Sequence, residues 1–136
     1  MAIVWSEEYA LGIPSIDAQH RGLIEIIAQL SENLRSEESS ESVMNGVVQK
    51  LVDYARDHFS YEEERLAECA YGESESHHAE HGIFIKRMQD FQERCEKSLD
   101  SWLAVELLGF LEGWLMHHIM FTDRRYVETF KAHGIQ

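Results

Sequence analysis

Apolar residues recur every three or four positions along four stretches of the chain, and this period predicts four amphipathic helices. The first seam consists of Ile16, His20, Leu23, Ile27, Leu30 and Leu34, and the second of Val47, Leu51, Tyr54, His58 and Glu62. The third comprises His77, His81, Phe84, Met88, Phe91 and Cys95, and the fourth Ala104, Leu108, Leu111, Leu115 and His118. The alternation of Val, Ile and Thr that is typical of strands is missing from the sequence.

Short polar stretches at residues 36–42, 72–76 and 98–101 separate these seams. Connections of this length favour antiparallel neighbours, so we expect an all-α fold, an antiparallel up-down-up-down four-helix bundle. Asp100 or Ser101 is the expected cap of the fourth helix.

The two ends of the chain lack the long seams. Residues 1–14 are apolar without a sustained period and predict an N-terminal arm, after which Ser15 is the expected cap of the first helix. The tail predicts a short C-terminal helix of one or two turns. We therefore expect a single domain over residues 1–136, with the bundle at 15–123 and the tail at 124–136.

Residues of metal-ligand type lie in the seams themselves. Two side chains four residues apart share one face of a helix, as do His58 with Glu62 and His77 with His81. The candidates lie near the start, end, start and end of successive helices, which is the same end of an antiparallel bundle. The predicted cluster is His20, His58, Glu62, His77, His81, His118 and Asp123.

Each candidate also has a simpler explanation, since a lone histidine in a seam is more often a hydrogen-bonded core residue than a ligand. The cluster as a whole is harder to explain in that way. Each buried polar group without a partner costs roughly 1–3 kcal/mol. A metal removes that cost, so the sequence predicts a metal site.

The donor set restricts the metal. Imidazole with carboxylate suits iron, zinc, copper or nickel, while Ca²⁺ and Mg²⁺ prefer oxygen alone. No cysteine falls in the cluster, which disfavours a structural zinc site. Seven ligands are too many for one ion, so we expect two ions bridged by both carboxylates, with the five histidines divided three and two. If a solvent oxygen also bridges, one ion is six-coordinate and the other is five-coordinate, open to a small ligand.

The spacing also makes local predictions. Asp123 follows His118 by five residues, about 140° around a regular helix, so the helix must distort or end between them. His117 and His78 lie off the seams and are not expected to be ligands. Glu63 is expected to support the ligands or lie on the surface rather than bridge.

The net charge of −13 argues against nucleic acid and anionic membranes as partners. No apolar run approaches the roughly 20 residues of a membrane span, and the N-terminus does not have the pattern of a secretory signal. The two cysteines lack a CxxC spacing and are expected to be reduced thiols. The cytoplasm is the expected location.

Four motifs together resemble those of the hemerythrins, and within that family those of the bacterial single-domain form. They are Ile16-Asp-Ala-Gln-His20, His58-Phe59-x-x-Glu62-Glu63, His77-x-x-x-His81-x-x-Phe84 and Trp114-Leu-x-x-His118-Ile119-x-x-x-Asp123. The resemblance implies reversible O₂ binding at two non-haem iron ions with an oxo or hydroxo bridge, for oxygen storage, transport or delivery. It also implies that His77, His81 and His118 hold one iron, that His20 and His58 hold the other, and that Glu62 and Asp123 bridge them.

A dry O₂ pocket is implied as well, formed by Leu23, Phe59, Trp114, Leu115 and Ile119. The expected protein is a monomeric carrier rather than an enzyme, with O₂ as ligand and an O₂-consuming enzyme as recipient. The alternatives are a di-iron oxidase or peroxidase, an enzyme that handles nitric oxide, a sensor module for O₂ or iron, and a metal-free interaction bundle. A proton donor or a substrate-sized opening near the site would favour an enzyme, and an attached output domain would favour a sensor.

Overall fold

The computed structural model describes residues 4–35, 41–97 and 101–136. Its long helices are α1 (Pro14–Arg35), α2 (Glu41–Glu68), α3 (Ser74–Lys97) and α4 (Ser101–His117). Beyond α4 the chain continues through a π-turn (His118–Thr122) and a 3₁₀ turn (Asp123–Tyr126) into the short helix α5 (Val127–Ala132). Each long helix packs against the next, and α4 returns to α1, which closes the predicted four-helix bundle. Residues 36–40 and 98–100, including the proposed cap Asp100, lie outside the described residues.

The first helix begins one residue earlier than predicted, at Pro14. Proline suits this position because its fixed φ is helical and the first amide of a helix needs no partner. The expected cap Ser15 is wrong, because Ser15 is already the second residue of α1. The carboxylate of Asp17 reaches back to accept the backbone N–H groups of Leu11 (2.8 Å) and Gly12 (3.1 Å), which precede the helix. Gly12 has a φ of +81°, which glycine adopts without strain. Asp17 therefore fixes the arm against the start of α1.

Two groups of buried apolar residues form the core. The larger group fills the bundle interior and includes Ile24, Leu51, Met88 and Leu111. The smaller group joins the arm, the end of α2 and α5, and consists of Leu11, Ile13, Ile16, Leu66, Cys69, Tyr126 and Phe130. The arm and α5 thus close the end of the bundle where the predicted ligands lie. Both cysteines are buried thiols that form no disulfide with each other, as expected.

Helix α2 ends in a Schellman motif, which turns the chain from Glu62 towards His77. The backbone N–H of Tyr71 donates to the carbonyl of Leu66, and that of Ala70 donates to Ala67, each over 3.1 Å. Ala70 occupies the left-handed position of this motif with a φ of 50°. Glycine usually fills it, because a Cβ there is strained.

Candidate metal centre

All seven predicted ligands lie together inside the bundle, on α1, α2, α3 and the segment that follows α4. None of these side chains is more than 3% exposed: His20, His58, Glu62, His77, His81, His118 and Asp123. The other three histidines, His78, His117 and His133, are exposed, in keeping with their exclusion from the predicted cluster.

The π-turn brings His118 and Asp123 to the same side of the chain. The backbone N–H of Asp123 donates to the carbonyl of His118, five residues back, instead of the four of a regular helix. The wider turn absorbs the angular mismatch between the two side chains. The predicted distortion between these residues is confirmed.

Glu62 divides its two oxygens between two groups of histidines. Its Oε1 lies 2.6 Å from Nε2 of His77 and 3.0 Å from Nε2 of His81. Its Oε2 lies 3.2 Å from Nε2 of His58 and 3.8 Å from Nε2 of His20. One carboxylate therefore faces both halves of the cluster.

Asp123 is divided in the same way. Its Oδ1 lies 3.1 Å from Nε2 of His77 and 2.9 Å from Nε2 of His118, while its Oδ2 lies 2.9 Å from Nε2 of His20. The candidate ligand atoms fall into two sets of four. Within each set, all four atoms lie within 4.8 Å of one another. The first set is Glu62, His77, His81 and His118, and the second is His20, His58, Glu62 and Asp123. We call them the three-histidine position and the two-histidine position.

Several of these buried atoms lack an aligned hydrogen-bond partner. They include both oxygens of Asp123 and both ring nitrogens of His20. Nε2 of His20 lies 2.9 Å from Oδ2 of Asp123, yet the two atoms are not aligned as a hydrogen bond. Native interiors rarely leave polar atoms in this state, because each one costs free energy. A cation between the converging atoms would satisfy them, so the residues fit a metal pair.

The chain is similar to known proteins over nearly its whole length. Residues 11–130 match the family model described as the hemerythrin HHE cation binding domain. The chain belongs to the hemerythrin family. It is 36% identical over 129 residues to bacteriohemerythrin from Clostridium acetobutylicum, covering 92% of this chain and 98% of that one. It is 33% identical over 131 residues to bacteriohemerythrin from Stenotrophomonas maltophilia, covering 96% and 83%. A crystal structure of wild-type hemerythrin shares the fold, with a TM-score of 0.82 at 21% identity over 95% of this chain and 98% of that one.

Two of the predicted ligands are oriented by side chains that the sequence reasoning missed. The Nδ1–H of His58 donates to Oε1 of Gln19 over 2.6 Å. The Nδ1–H of His118 donates to Oε1 of Glu80 over 3.2 Å, and the hydroxyl of Thr122 donates to the same oxygen over 2.9 Å. Each bond fixes a proton on Nδ1, so a ring that gives up its second proton presents Nε2 as the lone-pair nitrogen facing the cluster. The sequence contained one signal for these side chains: Gln19 and Glu80 directly precede the predicted ligands His20 and His81.

Tyr126 and Glu63 also contact the cluster. The hydroxyl of Tyr126 is buried and donates to Oε2 of Glu62 over 2.8 Å. Glu63 binds the exposed His78, and its Oε1 lies 3.7 Å from Nδ1 of His81. For Tyr126, the sequence predicted only a place in the C-terminal tail. Glu63 was expected either to support the ligands or to lie on the surface, and it lies beside the predicted ligand His81.

The pKa values of the cluster follow from its burial and its two carboxylates. Burial lowers the pKa of His20 and His77, but Asp123 and Glu62 outweigh it and raise each pKa to about 9. The same balance raises the pKa of His118 well above its usual value. Burial raises the pKa of Glu62 and Asp123, but the surrounding histidines hold both well below their usual range. Protons on the histidines thus neutralise the carboxylates, and metal ions would replace those protons.

The pKa values of His81 and Tyr126 are shifted in opposite directions. Burial lowers the pKa of His81, which therefore accepts a hydrogen bond from His118 Nε2 over 3.1 Å. Burial, Asp123 and Glu62 raise the pKa of Tyr126 well above its usual value. Tyr126 therefore keeps its proton.

Apolar side chains cover the ligand rings. Phe59 stacks on His81 with ring centroids 3.8 Å apart, and Trp114 stacks on His118 at 4.4 Å. Leu23, Leu115 and Ile119 are buried in the same interior. The structure brings all five residues of the predicted O₂ pocket into one core group.

Proposed function

We propose that this protein binds O₂ reversibly at a pair of non-haem iron ions, for oxygen storage, transport or delivery. His77, His81 and His118 would hold one ion, and His20 and His58 the other, with Glu62 and Asp123 shared between them. The observation that carries the proposal is the division of each carboxylate, one oxygen towards each position. Carboxylates shared in this way fit two ions rather than one.

The unequal division of histidines provides the place for O₂. The three-histidine position has one more protein ligand than the two-histidine position, so an ion held by His20 and His58 would have more room for O₂. Two ferrous ions held by these residues would supply the two electrons that this kind of O₂ binding requires, and release of O₂ would return them.

The protein's own contribution is to hold the ligands and keep the site dry. Phe59 and Trp114 lie flat against ligand rings, and Leu115 and Ile119 fill the space beside them. Tyr126 donates to Glu62 and retains its proton. A site without water or a ready proton donor favours release of O₂ over its reduction.

The structure offers little support for the enzyme alternatives, because its groove does not lead to the two-histidine position. A groove of about 590 Å³ runs between α2 and α3 and reaches Phe59 and His81. These two side chains are only 4% and 3% exposed, so a molecule in the groove meets the covering rings rather than the two-histidine position. The relatives named above are described as hemerythrins rather than as enzymes.

The proposal extends to a monomer in the cytoplasm that supplies O₂ to an O₂-consuming enzyme. The net charge of −13 supports a setting away from nucleic acid and anionic lipid. Across the described residues, no helix is both long and apolar enough to cross a membrane.

The test is anaerobic loading with Fe(II), followed by absorption spectra through repeated cycles of air and argon. We expect two irons per chain and a visible band that appears in air and disappears under argon. His118→Ala should lose iron and the band, while the matched control His117→Ala, which alters an exposed neighbour, should keep both. Equal behaviour of the two variants, or a band that never reverses, would contradict the proposal.

A further inference from the structure

We propose that the side chains behind the ligands make the two metal positions electronically unequal, so that the three-histidine position is oxidised first. Glu80 and Glu63 supply negative charge behind the three-histidine position, while Gln19 and Tyr126 leave the two-histidine position with less. The inference rests on the proposed iron pair. It assigns to Glu80 the role of a positioning residue that sets the potential of one ion.

Glu80 is half-buried, with a side chain 34% exposed, and hydrogen bonds hold it against the site. Its Oε1 accepts the Nδ1–H of His118 and the hydroxyl of Thr122, and that hydroxyl also lies 3.2 Å from its Oε2. Both donors, the ring N–H of His118 and the hydroxyl of Thr122, point at the carboxylate of Glu80, an arrangement that favours its ionised form. An ionised acceptor on Nδ1–H makes the imidazole a stronger donor at Nε2, and a stronger donor stabilises the more highly charged ferric ion.

Glu63 adds a second negative charge on the same side. Its Oε1 lies 3.7 Å from Nδ1 of His81, which has no aligned hydrogen bond of its own. The interaction is therefore one of charge rather than of a directed bond. Glu63 is shared with the exposed His78, so its effect on the ion is weaker than that of Glu80.

The two-histidine position has the reverse surroundings. The acceptor behind His58 is the neutral amide of Gln19, and Nδ1 of His20 has no aligned partner. Tyr126 donates to Oε2 of Glu62, the oxygen nearest His58. A hydrogen bond to that oxygen draws electron density away from it, which weakens its donation to the two-histidine ion. All of these contacts act in one direction.

The experiment is a redox titration of the iron-loaded protein without O₂, which resolves the two one-electron potentials. Glu80→Gln keeps an acceptor for His118 and removes the charge. Outer partners of this kind are typically worth 10–100-fold in metal affinity, and loss of the charge of Glu80 should take that factor from the more highly charged ferric ion. At 59 mV per tenfold, we expect Glu80→Gln to raise the first potential by about 60–120 mV. Gln19→Glu, which adds a charge behind His58, should lower chiefly the second potential.

The matched control is Glu64→Gln, which removes the same charge from a residue with a 68% exposed side chain. Solvent and salt screen that charge, so both potentials should stay at the parent values. If Glu80→Gln loads iron poorly, Thr122→Val removes the hydroxyl that holds Glu80 and should raise the first potential by a smaller amount.

The inference is overturned if Glu80→Gln leaves the first potential at the value of the Glu64→Gln control, or moves chiefly the second. These potentials are measured without O₂. A protein that takes up two irons and binds O₂ reversibly while showing no such shift would refute the inference and leave the proposed function intact.

Discussion

Replacing Tyr126 with phenylalanine removes a single buried oxygen atom from the cluster. The ring itself keeps its place, since it stacks on Phe130 with centroids 4.0 Å apart. The loss is therefore one hydrogen bond to an ionised acceptor, Oε2 of Glu62 at 2.8 Å. Hydrogen bonds to charged groups contribute about 1.5–3 kcal/mol. Glu62 Oε2 also lies 3.2 Å from His58, so we expect a loss of about 2 kcal/mol, in the lower part of that range.

The assay is urea unfolding of the metal-free protein at pH 7, with Tyr61→Phe as the matched control. The hydroxyl of Tyr61 also makes one hydrogen bond, over 2.9 Å, but its acceptor is the neutral hydroxyl of Ser15 in a half-buried setting. The control should lose only about 0.5–1 kcal/mol. In a thermal scan, Tyr126→Phe should lower Tm by roughly 8 °C, since 1 kcal/mol corresponds to about 4 °C at this chain length. Equal losses in the two variants would refute the reasoning that the charge of Glu62 strengthens this bond.

The remaining predictions concern the α2 terminus, pH and the metal. Ala70→Gly should raise the free energy of unfolding by about 1 kcal/mol, because it relieves the strain of a side chain at the left-handed φ of 50°. The control Ala67→Gly lies inside α2 and should lower the free energy of unfolding by a similar amount in the same urea titration. In the metal-free protein, the protons on His20 and His77, whose pKa rises from 6.5 to about 9, stabilise the fold fully below pH 6.5. Stability should therefore fall as the pH rises from 6.5 through about 9, and a flat profile across that window would contradict the cited pKa shifts. Removing the metal with a chelator should lower Tm, and saturation at a thousand times Kd corresponds to about 4 kcal/mol; a chelated sample that melts with the loaded protein would refute this.

The bundle and the positions of the ligands could be predicted because periodic patterns determine them. The same steps of three and four that place Leu23 and Leu115 in the core place His20 and His118 beside them. The mismatch between His118 and Asp123 even predicted a distortion, since five residues do not return to the same face of a regular helix.

The contacts behind the ligands could not be predicted in this way. Gln19 meets His58 across 39 residues, and Tyr126 meets Glu62 across 64. Such pairs depend on how neighbouring helices are aligned with each other. The hydrophobic period of each helix does not determine that alignment. The start of α1 differs from the prediction for a related reason, because the helix already includes Pro14 and Ser15, and its first bond runs from the N–H of Asp17 to the carbonyl of Ile13.

Gas uptake by the iron-loaded protein measures reversible O₂ binding itself. A known amount of the ferrous protein is equilibrated with O₂ in a closed cell, and the gas recovered on purging with argon is measured. We expect one O₂ bound per two irons and its recovery over repeated cycles. Consumption of O₂ without recovery, with peroxide or water as product, would contradict it.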